Sequence, residues 1–201
     1  MLNATLDSLG VLNMLNMKYV IVSNEHPPIV NTHANGNVWF VEKIRVANDA
    51  NEEMKLLGEI DTKKELVIDK SLASALPKTL IPDSTAKIAL ASYQPNHLVY
   101  HFDSKTDQVA VFSEIYYGQG WKATINGKEA PYTRVNYLLR AMPLNAGNYD
   151  IEFRFDPQSY KIGNTLAMVC SILLILLIAG YVYFRLIKKK DILIFSNNHI
   201  R

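Results

Sequence analysis

The chain has 201 residues, 49% of them hydrophobic, a formal net charge of +2 and one cysteine. So even a charge balance lacks the dense basic face that phosphate backbones require, which excludes a nucleic-acid partner. The lone Cys170 excludes an intrachain disulfide framework and a cysteine-ligated zinc site.

Near the N-terminus, Leu6, Leu9, Val11, Leu12 and Leu15 recur at near-helical spacing and predict a short helix over Leu6–Asn16. Asp7, Asn13 and Asn16 interrupt this stretch, and the first basic residue is Lys18. It therefore reads neither as a secretory signal nor as a spanning helix. Lys18–Ser23 is β-branched and aromatic, which predicts a buried strand ended by His26-Pro27-Pro28. Asn35-Gly36-Asn37 signals a turn into a strand over Val38–Val46. Asn48 or Asp49 should cap a helix over roughly 50–57, with Glu52 and Glu53 favouring its first turn. Glu65–Asp69 is a short strand, and residues 72–86, containing Pro77 and Pro82, read as a linker after an α/β lead-in over 1–71.

From Lys87 the pattern turns to β. Ile88–Tyr93, His97–Phe102, Gln108–Tyr116, Trp121–Ile125, Glu129–Thr133, Val135–Met142 and Tyr149–Phe155 predict seven strands and a β-sandwich over 87–157. Asn126-Gly127 predicts a tight hairpin, because a type I′ turn needs positive φ at both central positions. Tyr149, Ile151, Phe153 and Phe155 alternate with Asp150, Glu152, Arg154 and Asp156, the mark of a strand with one wet face. Val109–Phe112 is apolar on both faces and should be central.

Ile162–Phe184 carries no charge and is followed by Arg185 and Lys188–Lys190. As a helix it would extend about 30–35 Å, enough to cross a bilayer. The basic cluster predicts a cytoplasmic tail over 185–201, with residues 1–161 on the outer side. Tyr160 on one side and Tyr181 and Tyr183 on the other match interfacial aromatics. Two topologies compete. A tail-anchored chain would carry the cations across the membrane, against the positive-inside bias. The C-terminal piece of a larger protein, exported by earlier helices, would not. The predicted class is thus α+β: a mainly antiparallel β-sandwich, extracytoplasmic, preceded by a small α/β segment and followed by one transmembrane helix.

Chemistry-bearing patterns are sparse. His97 and His101 are four residues apart, but along a strand that is about 13 Å, too far to share a metal. Gly118-Gln119-Gly120 precedes a strand rather than a helix, so it reads as a turn and not as a nucleotide loop. Asn3-Ala4-Thr5 matches an N-glycosylation acceptor, informative only in a eukaryotic secretory context. No catalytic residue, cofactor motif or metal set emerges. Glu114 adjoins the apolar run Val109–Phe112 and Arg140 lies between Leu139 and Ala141, so a buried pair between them is conceivable, structural as often as functional. Tyr116, Tyr117, Trp121, Tyr132 and Tyr137 crowd one part of the sandwich; Trp121 reads as core, and Tyr116 and Tyr117 as a surface for a ligand. The candidate binding residues are Glu114, Tyr116, Tyr117, Trp121 and Arg140.

Five segments carry a family pattern: Ser113–Tyr117, Gly120–Ala123, Asn126–Lys128, Asn136–Ala141 and Ile151–Pro157. With Leu12–Val22 and the terminal helix, this ordered set resembles the C-terminal end of the YfhO family of bacterial multi-spanning membrane proteins. The resemblance implies a GT-C-like glycosyltransferase that takes sugar from a polyprenyl-phosphate carrier and adds it to a surface glycopolymer. It places the catalytic acid in an early loop between N-terminal helices, a region without counterpart in this sequence, so no catalytic residue carries over. The implied partners are the lipid bilayer, the remaining membrane body of the parent protein, and a surface glycan or polyprenyl-phosphate sugar. Two rivals stand beside it: a non-catalytic, membrane-anchored glycan-binding or assembly module, and a cytoplasmic tail-anchored adaptor.

Overall fold

The computed structural model describes residues 9–198 and divides into two compact units, 1–156 and 157–201. The Asn3-Ala4-Thr5 tripeptide and the first residues of the predicted N-terminal helix lie outside the described residues.

The first unit is built mainly from antiparallel sheets. A five-stranded sheet takes β6 (Lys87–Gln94), β7 (His97–Ser104), β9 (Trp121–Ile125), β10 (Lys128–Glu129) and β13 (Gly147–Phe155), in the order β10-β9-β13-β7-β6. A four-stranded sheet takes β3 (Val38–Phe40), β8 (Gln108–Ile115), β11 (Thr133–Val135) and β12 (Leu139–Leu144), in the order β11-β12-β8-β3. The lead-in supplies α1 (Gly10–Met14), a small hairpin of β1 (Tyr19–Val20) with β2 (Ile29–Val30), and a β4–α2–β5 crossover. In the crossover, β4 (Lys43–Ala47) and β5 (Glu65–Asp69) pair in parallel, joined through α2 (Ala50–Leu57).

The four-stranded sheet is a middle layer, and this explains the doubly apolar run in β8. Ala110 and Phe112 join Phe102, Met142, Leu144, Ile151 and Phe153 in the core shared with the five-stranded sheet. Val109 and Val111 point the other way, into a core with Trp39, Leu57, Leu66, Ile68 and Leu139. The lead-in thus packs on the back of the sandwich, and its β3 pairs with β8. In the stretch 72–86, Leu76 is buried and Leu72, Ala73 and Leu80 pack on the same core.

Several local expectations hold for the reasons that predicted them. Asp49 caps α2 by accepting from the Glu52 amide at 2.9 Å. Asp49→Ala should therefore destabilise the chain by about 1 kcal/mol, read as a lowered melting temperature and faster amide exchange at Glu52. Asn126 and Gly127 take φ of 50° and 76° between β9 and β10. In β13 the buried Ile151 and Phe153 alternate with more exposed Asp150, Glu152 and Arg154.

Other expectations are corrected. The segment 18–23 forms a strand only at Tyr19–Val20, and Tyr19, Ile21 and Val22 are exposed, because β1 pairs only with β2 and no layer covers that hairpin. The single strand over 38–46 is two strands in different sheets. The break at Val41-Glu42 lets Val41 donate to Val109 O and Glu42 donate to Lys64 O. The strand over 129–133 breaks before Pro131, which has no N–H to give a ladder. The strand over 135–142 is interrupted by Asn136 and Tyr137, at φ 48° and 71°, turning the chain between β11 and β12.

The second unit is one helix, α3 (Gln158–Asn198). Its part Gln158–Ile187, 30 residues, is long and apolar enough to cross a membrane, the one such candidate among the described residues. At 1.5 Å per residue it extends about 45 Å. Thr165 and Ser171 donate to the carbonyls of Lys161 and Ala167, so their hydroxyls are satisfied within the helix. Cys170 is exposed on it.

Candidate functional site

At one end of the sandwich the β8–β9 loop meets the end of β13. Gly120 N–H and Trp121 N–H both donate to Tyr117 O, at 3.1 and 3.0 Å, and Asp156 N–H donates to Gly120 O at 2.7 Å. The glycines are there for close approach. A Cβ on Gly120 would lie 2.4 Å from the Tyr117 ring and 2.5 Å from Phe155, and one on Gly118 would lie 2.7 Å from the Tyr116 hydroxyl. The Gly-Gln-Gly segment is thus a turn over which aromatic rings close.

Those rings form a connected series. Tyr117 lies 6.2 Å from Phe155, and Phe155 lies 5.3 Å from Trp121, centroid to centroid. Tyr116 lies 5.5 Å from Tyr132, which packs edge-on to Phe153 at 5.4 Å and donates its hydroxyl to Trp121 O. Tyr117 is 45% exposed and Phe155 37%, whereas Tyr116 and Trp121 are half-buried. Trp121 is therefore a bridge between core and surface rather than pure core. Tyr137 does not join: it sits in the β11–β12 turn, with the Arg134 guanidinium 5.7 Å from its ring.

Beneath the rings lies Arg140, 1% exposed. Its guanidinium carbon is 4.4 Å from the Trp121 centroid and 5.1 Å from that of Phe153, and its Nε donates to Ile115 O at 3.0 Å. Nη1 has no hydrogen-bond partner, and neither has the fully buried Tyr100 hydroxyl in the same core. Burial pulls the Arg140 guanidinium down from its ordinary range, and the nearby Glu114 charge opposes that. Burial likewise pushes the Tyr100 phenol up.

The buried Glu114–Arg140 ion pair that the sequence left open does not form. The ladder runs Leu139 opposite Ile115, then Arg140 opposite Phe112, so Ser113 and Glu114 bulge out of β8. The bulge leaves Glu114 half-buried, acting on Arg140 through space rather than by contact. Of the five sequence candidates, the structure joins Trp121 directly to Arg140, links Tyr117 to Trp121 through Phe155 and Tyr116 through Tyr132, and sets Glu114 beside them. Sequence reasoning passed over Phe155 and Tyr100 as ligand-facing or polar features. Their one signal was inward register, Phe155 with Phe153 and Tyr100 between Leu98 and Phe102.

On the outer face, a cleft of about 390 Å³ is lined by Asn96, Lys122, Thr124, Arg154, Phe155 and Asp156. Beside it, His97 Nε2 lies 3.0 Å from Glu152 Oε2, which also accepts from Arg154. His101 pairs separately with Asp150 at 2.8 Å. A larger cleft, about 720 Å³, lies in the lead-in between α1 and the loop after α2. Its polar lining is tied internally: Asn35 Nδ2 donates to Thr62 Oγ1, which donates to Gly10 O. That cleft reads as architecture, while the aromatic end has buried donors still unpaired.

The model of the family described as bacterial membrane protein YfhO matches residues 64–167, just over half of the chain and the whole of the aromatic site. No curated protein and no solved structure matches the chain.

Proposed function

The chain belongs to the family of the bacterial membrane protein YfhO, and on that premise we propose that it forms the C-terminal extracytoplasmic domain and a membrane span of a sugar-transferring protein. In this reading residues 1–161 lie outside the cytoplasmic membrane and the basic tail lies inside. The transfer runs from a polyprenyl-phosphate carrier to a surface glycopolymer and is catalysed by a membrane body beyond this chain. The sandwich holds the glycan. Tyr117, Phe155 and Trp121 offer ring faces to sugar C–H groups, Tyr116 supports them, and Glu114 and Arg140 supply charge below.

The observation that carries this reading is the aromatic shelf Tyr117–Phe155–Trp121, partly open to solvent, inside the family-matched region. In liposomes this chain alone should give no turnover of a labelled polyprenyl-phosphate sugar, yet bind cell-surface glycan, and Tyr117→Ala should weaken that binding about tenfold. Turnover above blank, or undiminished binding by the variant, would overturn the proposal. The same shelf equally favours a non-catalytic glycan-binding module; the two readings part on whether Tyr117→Ala in the complete parent protein slows transfer. Protease added to intact spheroplasts should remove residues 1–161, whereas protection would favour a cytoplasmic adaptor.

A further inference from the structure

We propose that Arg140 and Tyr100 form an anion-binding site that takes a phosphate group through the Tyr116–Trp121 segment. This deepens the glycan-holding reading and rests on it: the group would be the phosphate of a lipid carrier or of a phosphate-bearing glycopolymer.

Buried polar groups are nearly always hydrogen-bonded. Here a guanidinium Nη1 and a phenol O–H are both buried without partners in one aromatic core. A buried guanidinium is costly to desolvate, and its protein partners are one carbonyl and two ring faces. Those contacts leave the cation without an anion at hydrogen-bond range. The titratable groups that act on it are Glu114, Tyr132, Tyr100 and Tyr93, of which only Glu114 is a carboxylate, and Glu114 is held off by the bulge. The guanidinium Nη1 can only donate, and the Tyr100 hydroxyl has a proton free to donate beside it. Donors without an acceptor in a low-dielectric site favour an oxyanion, and a guanidinium fork matches phosphate geometry.

The cover is thin where it matters. Trp121 lies directly over the guanidinium and is itself only partly buried. The segment beside it, Tyr117 to Gln119, is exposed, and the bulge at Ser113–Glu114 interrupts the ladder next to Arg140. In this proposal the oxyanion reaches Nη1 past the Trp121 and Tyr116 side chains, which lie between the buried guanidinium and the exposed loop.

The test uses the full chain, ¹⁵N-labelled, in polyoxyethylene-ether micelles that carry neither sugar nor phosphate. Inorganic phosphate should shift the Trp121 indole N–H and the Arg140 Nε–H resonances saturably, where equal chloride does not. Tyr100→Phe removes only an unpartnered hydroxyl, so it should keep the melting temperature and weaken phosphate binding about tenfold. Arg140→Lys should weaken it further. Farnesyl phosphate binding more tightly than a glycerol-phosphate oligomer would identify a lipid source, and the reverse order a glycopolymer; both support the site. Absence of a saturable shift, or unchanged affinity in Tyr100→Phe, overturns it. If a neutral oligosaccharide shifts Trp121 while phosphate does not, this inference falls and the glycan reading stands. If phosphate alone binds, the anion site stands and the glycan reading falls.

Discussion

Phe153→Ala should lower the stability of the sandwich by about 4 kcal/mol and its melting temperature by about 10 °C. Phe153 is fully buried in β13. Its ring packs edge-on against Phe112 at 5.0 Å, Tyr132 at 5.4 Å and Tyr100 at 6.1 Å, and lies 5.1 Å from the Arg140 guanidinium. Truncation removes the transfer free energy of a large ring, several edge-to-face contacts and one of the two faces on Arg140. Thermal denaturation followed by near-UV circular dichroism, which reads packed aromatic rings, measures it. Phe155→Ala, two residues along the same face but 37% exposed, should cost under about 1.5 kcal/mol while disturbing the shelf. Equal losses at the two positions would contradict the assignment of Phe153 to the core and Phe155 to the surface.

The second large effect is expected at Glu53. This carboxylate sits on α2, 0% exposed, and binds one group of β11 and one of the β11–β12 turn: Arg134 Nη1 at 3.1 Å and the Tyr137 N–H at 2.8 Å. Next to it, Asn136 exchanges two hydrogen bonds with Val67 of β5, donating its N–H to Val67 O and accepting Val67 N–H on Oδ1, both at 2.8 Å. Together these latch the lead-in to the back of the sandwich. Glu53→Ala leaves the Tyr137 N–H and the Arg134 cation without their anion, which should cost about 3 kcal/mol. Hydrogen exchange should then rise at α2 and at the 136–138 turn more than at β7 or β13. A uniform rise across the unit would mean that the lead-in and the sandwich unfold as one and that the latch is not a local joint. The turn residues Asn136 and Tyr137 belong to one of the segments that carry the family resemblance; the structure gives them a docking role, and places Arg140 of the same segment under the shelf.

Legibility followed range. The α2 cap at Asp49, the Asn126-Gly127 turn, the alternation of β13 and the apolar run of α3 were readable because each depends on neighbours within a few residues. The break at Asn136–Tyr137 was not, because a continuous β-favouring composition conceals a turn stabilised by contacts with distant β5 and α2, whereas the ending before Pro131 had a local signal, the missing N–H, that the predicted strand ran through. The hairpin at Tyr19–Val20 went the other way: its composition promised burial, and no layer covers it. At the site, residue types named Arg140 and the aromatics, but the absence of a Glu114–Arg140 pair depends on a bulge in the register between β8 and β12.

The sequence by itself determined the class of the molecule, its apolar helix with a basic end, its family, and the aromatic and charged residues worth watching, since all of these are written in composition, period and order along the chain. Tertiary structure alone decided that the four-stranded sheet is a middle layer, that Trp121 covers a guanidinium, and that Tyr100 and Arg140 share one aromatic core with donors unpaired. Those facts depend on which strands become neighbours and in what register, and a one-residue change of register moves a side chain from one face to the other.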